Sequence, residues 1–295
     1  MYILCLSSSL NESSVFEIGS ISKVFTSTIL AKMVLDRKID QHDDISKYLN
    51  YSLKKNAKIT FNQLANHSSG LPRLPPGMLW SSLFKNRSNP YKHFGKAELI
   101  HYMQEKLKQK KLGKFNYSNL GAGLLGQILC DTLATDYESA LQQLVCHQLG
   151  LNSTTVNRNL LLEFLVKGRN RKGKGIPYWD MNALVGAGGI YSNVEDLAKF
   201  ALANFDETNE ALRLQHKPTL TVNKHVSVGL GWLIINSKIT GGTNWLYHNS
   251  GTGGFSSEYI MDLKSKSAII LLTNVSAFSF KSGQLFGLVC ELMET

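Results

Sequence analysis

The sequence predicts an α+β fold, in which an antiparallel sheet flanked by helices is joined to a mainly helical subdomain. Apolar residues recur at helical spacing through much of the first half of the chain. From about residue 226 they form short runs separated by turns that contain Gly, Lys or Ser, which is typical of antiparallel strands. We expect one domain over residues 1–295, with a helical subdomain at about 51–174 and a sheet-bearing subdomain formed by about 1–50 and 175–295.

Each predicted element follows from local periodicity and from its start and stop signals. The predicted helices lie at residues 20–35, 59–64, 96–110, 120–133, 136–149, 194–203 and 284–293. Gly70 and Pro72 mark the end of the second helix, and Ser192 with Glu195 fits a capping box before the sixth. Two short strands are predicted within residues 1–19, and the longer ones lie at 226–235, 245–249, 255–262 and 268–274.

The composition is that of a globular protein large enough to bury a substantial core. Hydrophobic residues make up 43% of the 295 residues. No apolar run reaches the roughly 18 residues that a membrane helix needs, so no transmembrane segment is predicted. The apolar stretch Met1 to Leu6 lacks the basic and small-residue flanks of a signal peptide, and the compartment does not follow from it.

The net charge of +10 comes in part from two basic runs, at residues 106–114 and 167–174. Aromatic residues do not alternate with the basic ones, so nucleic-acid binding is disfavoured, while attraction to an anionic cell-wall polymer stays open. The four cysteines show no Cys-x-x-Cys spacing, and the eight histidines form no metal-binding pattern. We therefore expect neither a metal nor a cofactor.

A serine and a lysine three residues apart, Ser20 and Lys23, begin the first predicted helix. Residues at this spacing share one helix face, and the positive end of the helix dipole disfavours a cation. A lysine held there can lose its proton and act as the base for a serine nucleophile. The same spacing recurs at 52–55 and 82–85, in polar or loop-like segments. Taken alone, the motif is explained as simply by a capping serine and a solvated lysine.

Two further motifs supply the other groups that such chemistry needs. Tyr117-Ser118-Asn119 precedes a predicted helix, and His248-Asn249-Ser250-Gly251 leads into a glycine-rich turn at the end of a predicted strand. Each also has a structural interpretation: a half-buried aromatic for Tyr117, a helix cap for Asn119 and a hairpin turn for the glycines. The order of the three motifs is therefore more informative than any one of them.

The motifs at 20–23, 117–119 and 248–254, together with the stretches 64–72 and 184–192, resemble the serine β-lactamase and penicillin-binding superfamily. The resemblance is to the class C β-lactamase-like branch, in which the second motif is Tyr-x-Asn, and it covers about residues 15–280. It implies that Ser20 is the nucleophile that takes the acyl group. It also implies that Lys23 and Tyr117 share the proton transfers, first from Ser20 and then to the leaving amine.

The resemblance further implies which residues bind the substrate. Asn119 would hydrogen-bond the substrate amide and the catalytic lysine, and the backbone N–H groups of Ser20 and Gly251 would form the oxyanion hole. His248 and Ser250 belong to the third motif, which reads Lys-Thr-Gly in true class C enzymes. A neutral histidine binds an anion more weakly than lysine does. A serine in place of glycine is expected to narrow the strand edge that faces the substrate.

The segment before Ser20 also departs from the family. Only residues 1–19 precede the serine here, whereas family members usually have several tens. We therefore expect the N-terminal strands of the sheet to be shortened or missing, which leaves an edge exposed.

The leading functional hypothesis is a serine hydrolase that forms an acyl-enzyme with a D-Ala-type peptide, a β-lactam, or a related amide or ester. One alternative is a catalytically idle member that binds cell-wall peptide or a protein partner. Another is a carboxylesterase on the same fold. The resemblance alone suggests a periplasmic or cell-envelope location and a substrate related to peptidoglycan. The sequence gives no information on the oligomeric state.

Overall fold

The computed structural model describes residues 10–75, 78, 89–236 and 240–294. The predicted α+β class is confirmed by its mixture of helices and antiparallel strands. Its α-helices are α1 (Ser22–Leu35), α2 (Phe61–Ala65), α3 (Lys96–His101), α4 (Asn119–Leu133), α5 (Tyr137–Leu141), α6 (His147–Leu149), α7 (Val185–Gly188), α8 (Val194–Asn204), α9 (Glu210–His216) and α10 (Leu285–Glu294). Two π-helical turns, Tyr102–Lys106 and Gln142–Cys146, extend α3 and join α5 to α6.

The main sheet is antiparallel, and each of its strands pairs with the next along the chain. Its strands are β3 (Leu220–Thr221), β4 (Val226–Val228), β5 (Leu233–Ile235), β6 (Trp245–Gly251), β7 (Ser256–Asp262) and β8 (Ser267–Thr273). A separate pair, β1 (Phe16–Glu17) with β2 (Tyr191–Ser192), fixes the chain just before Ser20. The first of the two strands predicted within 1–19 lies outside the described residues.

Helix α1 is the central element of the core. Phe25, Ile29 and Met33 are among its fully buried side chains, and the helix contacts α4, α7 and α9. Phe25 stacks on Phe200 with ring centroids 4.6 Å apart. Because the helix is buried on nearly all sides, the residues just before it are held firmly in place.

The chain enters α1 through a 3₁₀ turn, Gly19–Ile21, rather than directly at residue 20 as the periodicity predicts. Gly19 has a φ of +44°, a left-handed conformation that a residue without Cβ adopts readily. The sharp turn from β1 places Ser20 ahead of the α-helix and against β6 and β7 of the main sheet. The turn Gly19–Ile21 therefore lies where the sheet and α1 meet.

Some predicted boundaries were wrong for local reasons. The single strand predicted at 226–235 is split into β4 and β5, because the chain reverses around Gly231, whose φ is +78°. The helix predicted at 96–110 ends at Lys106, where Leu107 becomes extended and buries its side chain. The residue that caps α8 is Asn193, which accepts a hydrogen bond from the Asp196 amide, so the capping box predicted from Ser192 is not formed.

Candidate active site

The structure brings three of the predicted site residues together around one hydroxyl group. Ser20 Oγ lies 3.0 Å from Lys23 Nζ and 2.9 Å from the Tyr117 hydroxyl. Lys23 is in the first turn of α1, on the face that the spacing predicts, while Tyr117 belongs to the loop before α4. A candidate nucleophile therefore lies between an amine and a phenol, each within hydrogen-bonding distance.

Lys23 is almost completely buried, which is unusual for a lysine. Its Nζ donates to the Ala187 carbonyl at 2.6 Å as well as to the Ser20 hydroxyl. Burial lowers the pKa of Lys23 well below its usual value, and the positive charge of Arg73 lowers it further. The amine therefore gives up its proton far more readily than a solvated lysine.

The environment of Tyr117 has the opposite effect. Burial raises the pKa of Tyr117 to about 12, although its hydrogen bond to Ser20 and the charge of Arg73 oppose the rise. The Arg73 guanidinium lies 5.1 Å from the centroid of the Tyr117 ring, and Lys23 Nζ lies 4.9 Å from it. The phenol therefore keeps its proton at neutral pH and donates it to Ser20 Oγ in a hydrogen bond. The site combines a group that loses a proton easily with one that retains it.

Two basic residues of this site, His67 and Arg73, were not predicted as site residues. The rings of His67 and Tyr117 have centroids 4.5 Å apart, and the Ser118 amide donates to His67 Nδ1 at 3.3 Å. Burial first, and then the charges of Lys23 and other basic neighbours, lower the pKa of His67 well below its usual value. Both residues lie in or next to the stretch 64–72, which was recognised only as part of the resemblance.

The remaining predicted residues occupy different positions relative to Ser20. Asn119 begins α4, and its Nδ2 donates to the Tyr91 hydroxyl at 3.3 Å. Its buried Oδ1 has no hydrogen-bond partner within the described part of the chain, so the hydrogen bond to Lys23 that the resemblance implies is not formed. His248 on β6 is buried, and its Nδ1 lies 2.8 Å from the Asn249 carbonyl oxygen. Burial, aided by the charge of Lys23, lowers the pKa of His248 to about 3, so this imidazole is neutral at physiological pH.

A cavity of about 1170 Å³ opens onto Ser20. Five of the predicted site residues line it: Ser20, Tyr117, Asn119, Ser250 and Gly251. Lys23 and His248 are not among the residues that line it. Arg73, Arg171 and Lys172 contribute positive charge to the wall. Among the described residues of the lining, Glu258 is the one carboxyl group, and burial raises its pKa to about 7.

The side chains that contact Ser20 Oγ are the amine of Lys23 and the phenol of Tyr117. Over the described ranges, no cluster of three or more His, Cys, Asp or Glu side chains is suited to hold a metal ion. None of the helices in these ranges is long and apolar enough to cross a membrane.

Glu17 connects strand β1, which precedes Ser20, to the turn that follows β6. One carboxylate oxygen accepts from the Trp179 amide at 2.6 Å, and the other accepts from the Thr252 hydroxyl at 2.7 Å. Burial raises the pKa of Glu17 to about 7, although these two hydrogen bonds and the charge of Arg158 oppose the rise. The carboxyl thus titrates near neutral pH while it holds the turn beside Ser20.

We expect this carboxyl to make folding stability depend on pH. A carboxyl whose pKa is higher when folded binds more protons in the folded state, so the free energy of unfolding falls as pH rises from about 4.5 to about 7. For Glu17 the loss is about 3 kcal/mol. Urea denaturation at pH 5 and pH 8 should show a smaller fall in Glu17→Gln than in the wild type. Equal falls in the two proteins would contradict this assignment.

Comparisons with known proteins agree with this architecture. The family model described as Beta-lactamase matches residues 7–284. A Beta-lactamase from Providencia stuartii is 28% identical over 208 residues, which cover 68% of this chain but only 50% of that protein. The D-alanyl-D-alanine-carboxypeptidase/endopeptidase AmpH from Escherichia coli is 26% identical over 310 aligned positions, covering 95% of this chain and 76% of that protein.

Solved structures show the same fold at low sequence identity. The crystal structure of a Beta-Lactamase/D-Alanine Carboxypeptidase from Pseudomonas syringae aligns with a TM-score of 0.81 at 20% identity, covering 97% of this chain and 86% of that chain. A penicillin-binding protein homologue from Pyrococcus abyssi, described as octameric, aligns with a TM-score of 0.79 at 22% identity, covering 96% of this chain and 67% of that one. With a family match that spans residues 7–284 and this shared fold, the chain belongs to the β-lactamase family.

Proposed function

We propose that this protein is a serine hydrolase that acts through an acyl-enzyme on Ser20. The observation that carries the proposal is the position of Ser20 Oγ between Lys23 Nζ at 3.0 Å and the Tyr117 hydroxyl at 2.9 Å. The pKa of the amine is lowered and that of the phenol is raised, so one group is suited to accept a proton and the other to donate one.

In this proposal the unprotonated Lys23 amine takes the Ser20 proton as Oγ attacks the substrate carbonyl carbon. The carbonyl π-bond breaks, and its electron pair moves to oxygen, where the backbone N–H groups of Ser20 and Gly251 stabilise the charge. Tyr117 then gives its proton to the leaving nitrogen as the C–N bond breaks, and the protonated Lys23 returns a proton to the phenolate. A water molecule then attacks the acyl carbon, the ester bond to Ser20 Oγ breaks, and one proton of the water passes through the same groups to Oγ.

The proposed substrates are D-Ala-type peptides and β-lactams, or related amides and esters. Relatives named β-lactamase and D-alanyl-D-alanine-carboxypeptidase support this substrate class. D-Ala-type peptides and β-lactams carry a carboxylate, and of the four charged residues that line the cavity within the described part of the chain, three, Arg73, Arg171 and Lys172, are cations. The free Oδ1 of Asn119 is an acceptor for a substrate amide N–H.

Mass spectrometry after exposure to a labelled penicillin, and separately to a fluorophosphonate, tests this proposal. We expect an adduct on Ser20 that is absent from Ser20→Ala. Ser52→Ala is the matched control, because Ser52 is the exposed serine of a second Ser-x-x-Lys motif, and it should react like the wild type.

Each other outcome has a defined meaning. No adduct with either probe overturns the proposal, and peptide binding that survives Ser20→Ala without turnover would then identify an idle family member. Labelling by fluorophosphonate alone, with turnover of short p-nitrophenyl esters, would identify a carboxylesterase.

A further inference from the structure

The backbone N–H of Ser20 already has a hydrogen-bond acceptor in this structure. It donates to Ser250 Oγ at 2.8 Å, across 230 positions of sequence. Ser250 lies near the end of β6, against which the 3₁₀ turn Gly19–Ile21 packs. In the proposed mechanism this N–H is one of the two donors that stabilise the developing oxyanion. The donor is therefore occupied by a side chain of the protein itself.

The Ser250 hydroxyl stands where a substrate oxygen would have to bind. An oxyanion-hole donor works when it lies about 2.7–3.1 Å from the developing oxygen, and Ser250 Oγ is within this distance of the Ser20 nitrogen. An N–H group directs a strong hydrogen bond to one acceptor along its axis. A substrate carbonyl oxygen can thus use this donor fully only after the hydroxyl has left it.

The fit of this hydroxyl depends on the glycine before the nucleophile. A Cβ at Gly19 would lie 2.2 Å from Ser250 Oγ and 3.1 Å from Thr252 Cγ2, so the hydroxyl fills space that only glycine leaves free. Ser250 is half-buried and lines the cavity, and rotation about its Cα–Cβ bond can move the hydroxyl away from the amide. The contact is therefore well packed and also reversible.

We propose that Ser250 is a specificity-determining residue that caps the oxyanion hole and must be displaced before Ser20 is acylated. This inference rests on the proposed function. The neutral hydroxyl is a weaker acceptor than a developing oxyanion, so the cap yields to a substrate that forms a tetrahedral intermediate readily. The cap disfavours a substrate that has an unactivated carbonyl and few other contacts with the protein. The cap therefore selects for activated or tightly bound acyl donors.

Ser250→Gly and Ser250→Ala test the cap. We expect both to raise the second-order rate constant for penicillin acylation of Ser20 by about 10-fold, which is less than the 10²–10³-fold that one oxyanion donor is worth, because the hydroxyl weakens this donor without removing it. Ser227→Gly, on β4 and outside the cavity lining, controls for the general effect of glycine in a strand. Ser250→Ala retains Cβ, so it reports on the hydroxyl if the glycine variant is too unstable to assay.

Amide hydrogen exchange at Ser20 measures the contact without any substrate. We expect faster exchange in both Ser250 variants than in the wild type and in Ser227→Gly. If the wild type is acylated and both Ser250 variants react at the same rate or more slowly, the cap is refuted while the proposed function stands. If exchange accelerates but no protein is acylated by penicillin or fluorophosphonate, the proposed function fails, and the catalytic meaning of the cap fails with it.

Discussion

Lys23→Met is expected to slow acylation of Ser20 by about 10²–10⁴-fold, the range that a positioned general base contributes. Methionine has a similar length and suits the buried site, but it cannot take the Ser20 proton or donate to the Ala187 carbonyl. The wild-type rate should rise with pH through the lowered pKa of Lys23 and level off above it, because only the unprotonated amine is a base. The rate constants for both penicillin and fluorophosphonate should fall.

The pH profile distinguishes a lost base from a damaged fold. Burial also lowers the pKa of His67 and His248, so neither imidazole accounts for a step near neutral pH. Glu17 and Glu258 titrate near pH 7 and can add their own step to the pH profile of the acylation rate. The wild type is therefore compared with Lys23→Met, which keeps both carboxyls. The rise in rate that is assigned to Lys23 should be absent from this variant. Lys32→Met, further along the same helix, should keep both rate and profile. An unchanged profile in Lys23→Met would refute the base role.

The contacts that follow from spacing along the chain were predictable, and those that depend on tertiary packing were not. Ser20 and Lys23 meet because residues three apart share a face of a helical turn, and this holds although Ser20 is in a 3₁₀ turn. Asn119 was predicted from its motif, but its Nδ2 bonds Tyr91, a residue that comes from a different loop. Periodicity in the sequence predicts helices and strands, but it does not predict which two loops come into contact.

The charges around Lys23 show the same limit. The charge of Arg73 helps to lower the pKa of Lys23, but the sequence did not predict this residue, because it follows Pro72 in an irregular segment. The α+β class was predictable because strand and helix periods differ so clearly. Helix α9 was missed because its apolar residues are few, although Asn209 caps it and Gln215 reaches Thr28 of α1. The division into subdomains at 51–174 stays a prediction.

Tyr117→Phe is expected to slow acylation by penicillin by about 10²-fold or more, and acylation by fluorophosphonate much less. In the proposed mechanism the phenol protonates the departing nitrogen, and its pKa of about 12 keeps the proton available until that step. Fluoride leaves as an anion and needs no such proton. The variant also loses the hydrogen bond to Ser20 Oγ, which affects both reactions alike. The ratio of the two rate constants therefore isolates the role of the acid.

This ratio separates the two groups that flank the nucleophile. Lys23→Met removes the base that both reactions need, so the two rate constants should fall together and their ratio should stay near that of the wild type. Tyr117→Phe should lower the ratio of penicillin to fluorophosphonate acylation. Tyr178→Phe is a suitable control, because its hydroxyl bonds the Val166 carbonyl and not Ser20. If Tyr117→Phe slows both probes equally, Tyr117 positions Ser20 and does not act as the acid.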